Sequence, residues 1–191
     1  MSFFFRIPLI ILSLALILFS CTNDMNTVNK YIDTEIEPDI MGENIETLYS
    51  DSARLQMKLT APLFKLFSSA TEKRKEFPQG LHVWFYERTG ELRAELTANW
   101  AKHDEVANLW EARSNVVITS TEGDKLETEQ FFWDPKKSIV YSEKYTKVTK
   151  KDGSISSGES FSANQDFTNA KFLNAKATII LKDEEEPVNQ L

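Results

Sequence analysis

Hydrophobic and polar residues alternate along most of the chain after residue 49. In the clearest run the apolar positions are Ala53, Leu55, Met57, Leu59 and Ala61, with polar residues between them. A period of two is typical of a strand with one buried face. The pattern therefore predicts a half-buried strand over residues 53–61. Residues 63–76 leave two continuations open, a strand end with a charged loop or a short helix.

Further stretches also have strand patterns. Residues 81–86 are apolar on both faces, and residues 92–100 are rich in alanine but place their apolar side chains at i, i+2 and i+4, which favours a strand over a helix. Residues 116–119 and the positions around Val140, Tyr145 and Val148 indicate others. The turn signals that separate these stretches are Pro78-Gln79-Gly80, Thr89-Gly90, Glu122-Gly123-Asp124, Asp134-Pro135 and Asp152-Gly153.

A weak internal repeat of about 30 residues is visible. Its units begin at Gly90, Gly123 and Gly153. Each unit contains an aspartate and then closes on a β-rich stretch. The aspartates are Asp104, Asp134 and Asp166, and their position favours turn capping over calcium binding. One such unit cannot bury its apolar face alone, so the units must stack. The sequence predicts an all-β fold, an elongated and twisted β-jellyroll or open β-sandwich of stacked antiparallel strands.

Composition and charge exclude several classes of protein. The chain has 191 residues, which fits one domain, and 41% of them are hydrophobic. It has 22 basic against 29 acidic residues, which argues against nucleic acid as a partner. One cysteine excludes a disulfide framework and a cysteine-based zinc site. We find no catalytic motif and expect no enzyme, no metal and no cofactor.

The N-terminus predicts export and attachment to a membrane. Residues 7–19 carry no charge and are followed by Ser20 and Cys21, which resembles a bacterial lipobox. In such signals the cysteine thiolate takes a diacylglycerol group. We expect a signal peptide at 1–20, acylated Cys21 with a polar tether at 21–46, a folded body at 47–181 and an acidic tail at 182–191. The alternative is an uncleaved membrane anchor, since residues 3–19 are just long enough to span a bilayer.

The body resembles a known family. Residues 49–62 (YSDSARLQMKLTAP) are similar to the opening strand of the LptC family, which belongs to the lipopolysaccharide export machine. Residues 123–134 and 158–164 resemble the OstA-like repeats that this family shares with its soluble partner LptA. The resemblance covers about residues 47–180. Many family members have a transmembrane helix where this chain has a lipobox, which leaves the mode of anchoring open.

The resemblance implies a function in lipid transfer. It implies a periplasmic, inner-membrane-anchored bridge that accepts lipopolysaccharide from an ABC transporter and passes it to an LptA-like β-jellyroll. An edge strand within residues 171–181 would pair with the first strand of that partner. The lipid A acyl chains would lie among the inward members of a set whose register stays open, namely Leu55, Met57, Leu59, Val83, Phe85, Leu92, Leu96, Trp100, Val116, Ile118, Phe131 and Trp133.

Two other functions compete with the lipid carrier. One is a membrane-tethered lipoprotein adaptor that binds a protein or glycan through exposed aromatic residues such as Trp84, Trp110 or Tyr145, without lipid transport. The other is a secreted hydrolase that uses His82 or His103 beside a carboxylate and a hydroxyl group. The contents of the centre of the fold discriminate between the three.

Overall fold

The computed structural model describes residues 37–69 and 72–180, and a compact unit begins at Pro38. Every regular element in these residues is a β-strand. The strands are β1 Ile40–Asp51, β2 Arg54–Ser68, β3 Lys73–Phe77, β4 Leu81–Tyr86, β5 Leu92–Ala98, β6 Trp100–Asp104, β7 Leu109–Ser120, β8 Lys125–Asp134, β9 Ile139–Ser142, β10 Thr146–Thr149, β11 Ile155–Gly158, β12 Ser160–Asn164, β13 Lys171–Leu173 and β14 Lys176–Thr178.

The strands pair antiparallel in one sheet that divides into two branches. Branch A contains β4, β5, β10, β11 and β14 with residues 54–61 of β2, 116–120 of β7 and 125–128 of β8. Branch B contains β3, β6, β9, β12 and β13 with residues 65–68 of β2, 109–113 of β7 and 130–134 of β8. Both branches contribute side chains to a single hydrophobic core. The prediction of an all-β jellyroll of antiparallel strands is confirmed.

A crease, formed by the residues at which the chain passes from one branch to the other, has a distinctive backbone. In β7 the two crease residues are Ser114 and Asn115, which both have positive φ and interrupt the pairing with β8. Asn99 alone separates β5 from β6, and its N–H donates to the carbonyl oxygen of Ser114 at 3.0 Å. Extended strands cannot turn this sharply without irregular residues, so the crease uses bulges and left-handed residues.

Buried hydroxyl groups connect neighbouring strands at the crease. Thr128, Ser142 and Thr146 are all buried, and Thr146 is fully so. Thr128 Oγ1 lies 2.9 Å from Ser142 Oγ and 3.2 Å from Thr146 Oγ1. Thr128 Oγ1 also lies 3.0 Å from the carbonyl oxygen of Tyr145. A buried polar group needs such partners, so this cluster fixes how β8 meets β9 and β10.

The sequence repeat corresponds to the turns at the far ends of the two branches. The three glycines stand in tight turns of branch A. The aspartates cap turns of branch B, as predicted. Asp104 Oδ1 accepts hydrogen bonds from the N–H groups of Val106 and Ala107, Asp134 Oδ1 accepts one from Lys137, and Asp166 Oδ1 accepts one from Thr168. One repeat is therefore a bent strand that crosses the crease and returns along the next.

Some boundaries differ from the sequence-based expectation. β2 continues to Ser68 and residues 73–77 form β3, so the short helix considered for this region is wrong. β1 begins at Ile40, inside the stretch 21–46 that we assigned to the tether, because its backbone pairs with β2 along nearly its whole length. The expected signal peptide, Cys21 and the acidic tail 182–191 lie outside the described residues.

Candidate functional site

The inner face of branch A carries a continuous apolar row. Leu59, Val83, Leu96, Ile118, Leu126 and Val148 stand in register across six neighbouring strands. Alternation along each strand places all six side chains on the same face. Five of them are buried, and Val148 packs against them half-buried. A second row, nearer the crease, consists of Ala61, Leu81, Ala98 and Val116.

The inner face of branch B is aromatic. Phe77, Ala101, Ala112 and Phe131 stand in register across β3, β6, β7 and β8. The ring of Phe77 lies 5.6 Å from that of Phe64 and 6.3 Å from that of Trp110. On the last strands the rings of Phe161 and Phe172 are 5.2 Å apart. The small alanines leave room for these rings, so the two branches pack around a mixed aliphatic and aromatic interior.

Nine of the twelve residues expected in the interior belong to the core or pack against it. The buried ones are Leu59, Val83, Leu96, Val116, Ile118 and Phe131. Met57, Phe85 and Trp133 are partly buried and pack against the same cluster.

Leu55, Leu92 and Trp100 are not part of this cluster. Leu55 and Leu92 lie at strand ends, and Leu55 lines a surface pocket with Arg54 and Arg88. The prediction that Trp100 faces inward is wrong. Since Asn99 breaks the alternation between β5 and β6, Ala101 faces the core and Trp100 packs under the guanidinium of Arg113, whose Cζ is 4.8 Å from the ring.

Sequence reasoning missed much of the interior of branch B. Its unpredicted members include Phe77, Ala101, Ala112, Val140, Phe161 and Ala163. Short strands of four or five residues give little alternation to read, and alanine carries a weak hydrophobic signal. Phe161 carried a possible signal, because it stands between Ser160 and Ser162.

The interior becomes partly exposed away from the crease. Met57 and Phe85 on branch A and Trp110 and Trp133 on branch B are half-buried and pack against the core from its edge. We call these four residues the rim. The imidazole ring of His103 stacks on the ring of Trp110 with centroids 4.3 Å apart. His103 Nε2 lies 3.1 Å from Asn108 Oδ1. Burial lowers the pKa of His103, which keeps this part of the rim neutral.

The outer face of branch A is polar and held by ion pairs. Glu127 bonds to Lys125 at 2.7 Å and to Lys147 at 2.9 Å, and these bonds lower the pKa of Glu127. Glu46 pairs with Lys58 in the same way at 2.8 Å. An apolar inner face and a polar outer face are the arrangement of a sheet with one solvated side.

The aromatic residues of the adaptor hypothesis do not share a face. Trp84 lies on the outer face of branch A and stacks on His82 at 3.6 Å. Trp110 packs against the core of branch B, so its expected surface position is wrong. Tyr145, at the crease, is 60% exposed.

The hydrolase alternative requires His82 or His103 to lie beside a carboxylate and a hydroxyl group. His82 Nε2 lies 2.7 Å from Glu95 Oε2, while His103 contacts Asn108 as described.

Residues 37–69 and 72–180 contain no cluster of three or more His, Cys, Asp or Glu that could hold a metal ion. The same residues include no helix with the length and hydropathy needed to cross a membrane.

Within the described part of the chain, the sheet has open edges at both ends. β1 pairs only with β2, while β13 pairs only with β12 and β14 only with β11. The C-terminal edge exposes apolar side chains, since Leu173 is 59% exposed and Ile179, directly after β14, is 71% exposed. Unpaired backbone donors and acceptors on such strands can accept another strand.

A comparison with protein families gives a match over most of the chain, whereas no curated protein matches it. The matching family is described as lipopolysaccharide-assembly, LptC-related, and its model covers residues 7–180. This range includes every strand of both branches and the inner rows. Members of this family are periplasmic, associate with the inner membrane and have no enzymatic activity. The chain belongs to the LptC-related family and takes part in lipopolysaccharide transport.

Proposed function

We propose that this protein is a bridge that accepts lipopolysaccharide from an inner-membrane ABC transporter and passes it to an LptA-like β-jellyroll for assembly in the outer membrane. The observation that carries the proposal is the apolar row on branch A, which continues without a polar interruption from β2 to β10. It runs across the strands, and therefore toward the open C-terminal edge of the sheet.

The physical basis of transfer is the cost of exposing acyl chains. Apolar surface in water costs about 25 cal/mol per Å². An apolar row that continues into a partner's interior keeps that cost low at each step, so no covalent chemistry is needed here. Acyl chains would enter at the rim and separate the side chains of the two branches.

The attachment to membrane and partner forms the second part of the proposal. Acylated Cys21 would anchor the mature protein in the periplasm at the inner membrane, with the preceding residues removed as a signal peptide. The C-terminal edge would pair with the first strand of the LptA-like partner, since β13 and β14 each have a side that no other described strand pairs with.

Photo-crosslinking in cells tests the lipid path. A photoreactive residue is placed at the inward positions Leu59, Ile118 and Phe131, and in matched variants at their outward neighbours Lys58, Val117 and Phe132. We expect lipopolysaccharide adducts from the inward set and few from the outward set. Equal labelling of both sets, or adducts to proteins only, would contradict the lipid path.

The same approach tests the partner edge. A photoreactive residue at Leu173 or Thr178 should crosslink to the LptA-like protein, while one at exposed Val106, on a turn of branch B, should not. Adducts from Val106 alone would place the partner elsewhere.

The anchor is tested by Cys21→Ser. Lipidation predicts that this variant loses fatty-acid labelling and leaves the membrane fraction. A variant that stays in the membrane with residues 1–20 still attached would support the uncleaved anchor instead.

A further inference from the structure

Phe167, in the turn between β12 and β13, has an unusual backbone conformation. Its φ is +62°, a left-handed value that costs a bulky residue free energy. The two preceding turns of branch B place Asn108 and Ser138 at positive φ, and asparagine adopts this conformation more readily. A phenylalanine here is held against its own backbone preference.

The turn itself is tightly bonded. The N–H of Phe167 donates to the carbonyl oxygen of Asn164 at 2.8 Å. Asp166 Oδ1 accepts hydrogen bonds from the Thr168 hydroxyl at 2.6 Å and the Thr168 N–H at 3.1 Å. The N–H of Gln165 donates to the carbonyl oxygen of Ser138 at 3.0 Å, which ties the turn to its neighbour. These bonds hold the strained residue in place.

The ring of Phe167 turns back onto the interior. It stacks on Phe131 with centroids 6.2 Å apart and planes within 13°. Phe131 is only 5% exposed and belongs to the core, whereas Phe167 is 39% exposed. The Phe167 ring therefore lies between an inward-facing core side chain and solvent. Strain of this kind at a defined contact is a reason to look for function.

We propose that the inner surface at Phe131 is an acyl-chain subsite and that Phe167 is a built-in plug, whose ring occupies the subsite until a lipid acyl chain displaces it. The inference rests on the proposed function, because it presumes that lipid passes through the interior. A flat aromatic ring and an acyl chain compete for the same contact, since both bury apolar surface against Phe131.

The position of the plug gives it a role in the order of transfer. β12 and β13 are the last two strands of branch B, so Phe167 stands at the end of the interior nearest the C-terminal edge. An acyl chain that extends from the interior of branch A into that of branch B would contact this ring at the last strands of branch B. The plug thus covers the exit end of the interior with a side chain of the protein while no lipid is there.

The test uses the full chain in cells with a photoreactive phenylalanine analogue at either of two positions. A probe at position 161 reports on the exit end and leaves the Phe131–Phe167 pair intact. A probe at position 59 reports on the interior of branch A. Phe167→Ala should raise lipopolysaccharide adducts at position 161 relative to position 59 by about two- to tenfold, the factor that one aromatic pair contributes to an equilibrium. Val106→Ala, on another turn of branch B, should leave the ratio unchanged.

A second variant guards against a folding defect. Phe167→Asn removes the ring but suits the left-handed backbone, so it should raise the ratio as Phe167→Ala does and unfold at a temperature no lower than the unaltered protein. Adducts at Leu59 with an unchanged or lower ratio in both variants would overturn the plug and leave the proposed function standing. Absence of lipopolysaccharide adducts at both positions in every variant would overturn both.

Discussion

At the scale of single residues, the crease makes the strictest demands on side-chain size. Gly80 has a φ of +85°, and a Cβ there would collide with the carbonyl oxygen of Ala98 and lie 3.0 Å from Asn99 Cα. Both obstacles are backbone atoms of the opposite bend and cannot rotate away. The chain passes between β3 and β4 at this point, so the contact sets how closely the two branches approach.

We expect Gly80→Ala to lower the free energy of unfolding by about 2 kcal/mol or more, through left-handed strain and the clash together. The matched control is Gly90→Ala, because Gly90 has a φ of +92° but no atom within 4 Å of the point that an alanine methyl group would occupy. Gly90→Ala should lower the free energy of unfolding by about 1–2 kcal/mol, through the left-handed strain alone. Urea denaturation measures both, and equal losses would mean that the close approach contributes nothing.

His103 gives the rim a dependence on pH. Burial lowers the pKa of His103 below its ordinary value of 6.5, so the unfolded chain binds this proton at a higher pH than the folded protein does. The contribution of His103 to stability is therefore fully present above pH 6.5. It is lost as the pH falls through the pKa that His103 has in the folded protein. Unfolding temperatures between pH 7.5 and pH 5 should reveal this loss. His103→Gln should flatten the profile over that range, and His82→Gln, which retains His103, should not.

At the scale of strands, β1 tests where the folded body begins. Ile45 on β1 packs against the core from the same strand on which Leu48 is 58% exposed. Ile45→Ala should cost about 1–2 kcal/mol of unfolding free energy through lost burial, while Leu48→Ala should stay within about 0.5 kcal/mol. A boundary at residue 47 requires both substitutions to be nearly neutral, so equal small effects in urea denaturation would favour that boundary.

Long strands were predictable from the sequence, and bends were not. The alternation from Leu55 to Ala61 identified β2 because each inward residue has a polar neighbour. Trp100 was misassigned because one residue, Asn99, shifts the alternation by one position, and a single shift exchanges the two faces of a strand. The pairing that makes Asn99 a bend involves Ser114, which is distant in sequence, so no local pattern reports it.

At the scale of the whole molecule, the candidate site depends on how the two branches meet. The branch A row was largely identified in advance, since Leu59 and Leu96 lie on strands with clear alternation and Val83 and Ile118 lie in short apolar stretches. Phe77 and Phe161 became part of the same interior only through the crease. Phe167 had no signal at all, because its position depends on a left-handed turn that phenylalanine rarely adopts.

Stability should vary along the stack of strands. β7 and β8 extend through both branches and are paired on both sides. β13 and β14 have three residues each and, among residues 37–69 and 72–180, one partner strand each. In a stacked fold each strand is stabilised mainly by its neighbours, so the end strands open at lower free energy than the centre. We therefore expect native-state hydrogen exchange to be slowest at the paired amides of β7 and β8 and fastest at those of β13 and β14.

This gradient suits the proposed handover, because a terminal strand that opens readily can exchange its pairing for a strand of the partner. The comparison is made between two lysines that each begin a strand, Lys125 on β8 and Lys176 on β14, so that both amides lie at strand ends. Similar protection at both would show that the sheet opens as one cooperative unit. The C-terminal edge would then have to bind its partner as a rigid template, by adding a strand to β13 and β14 without rearrangement.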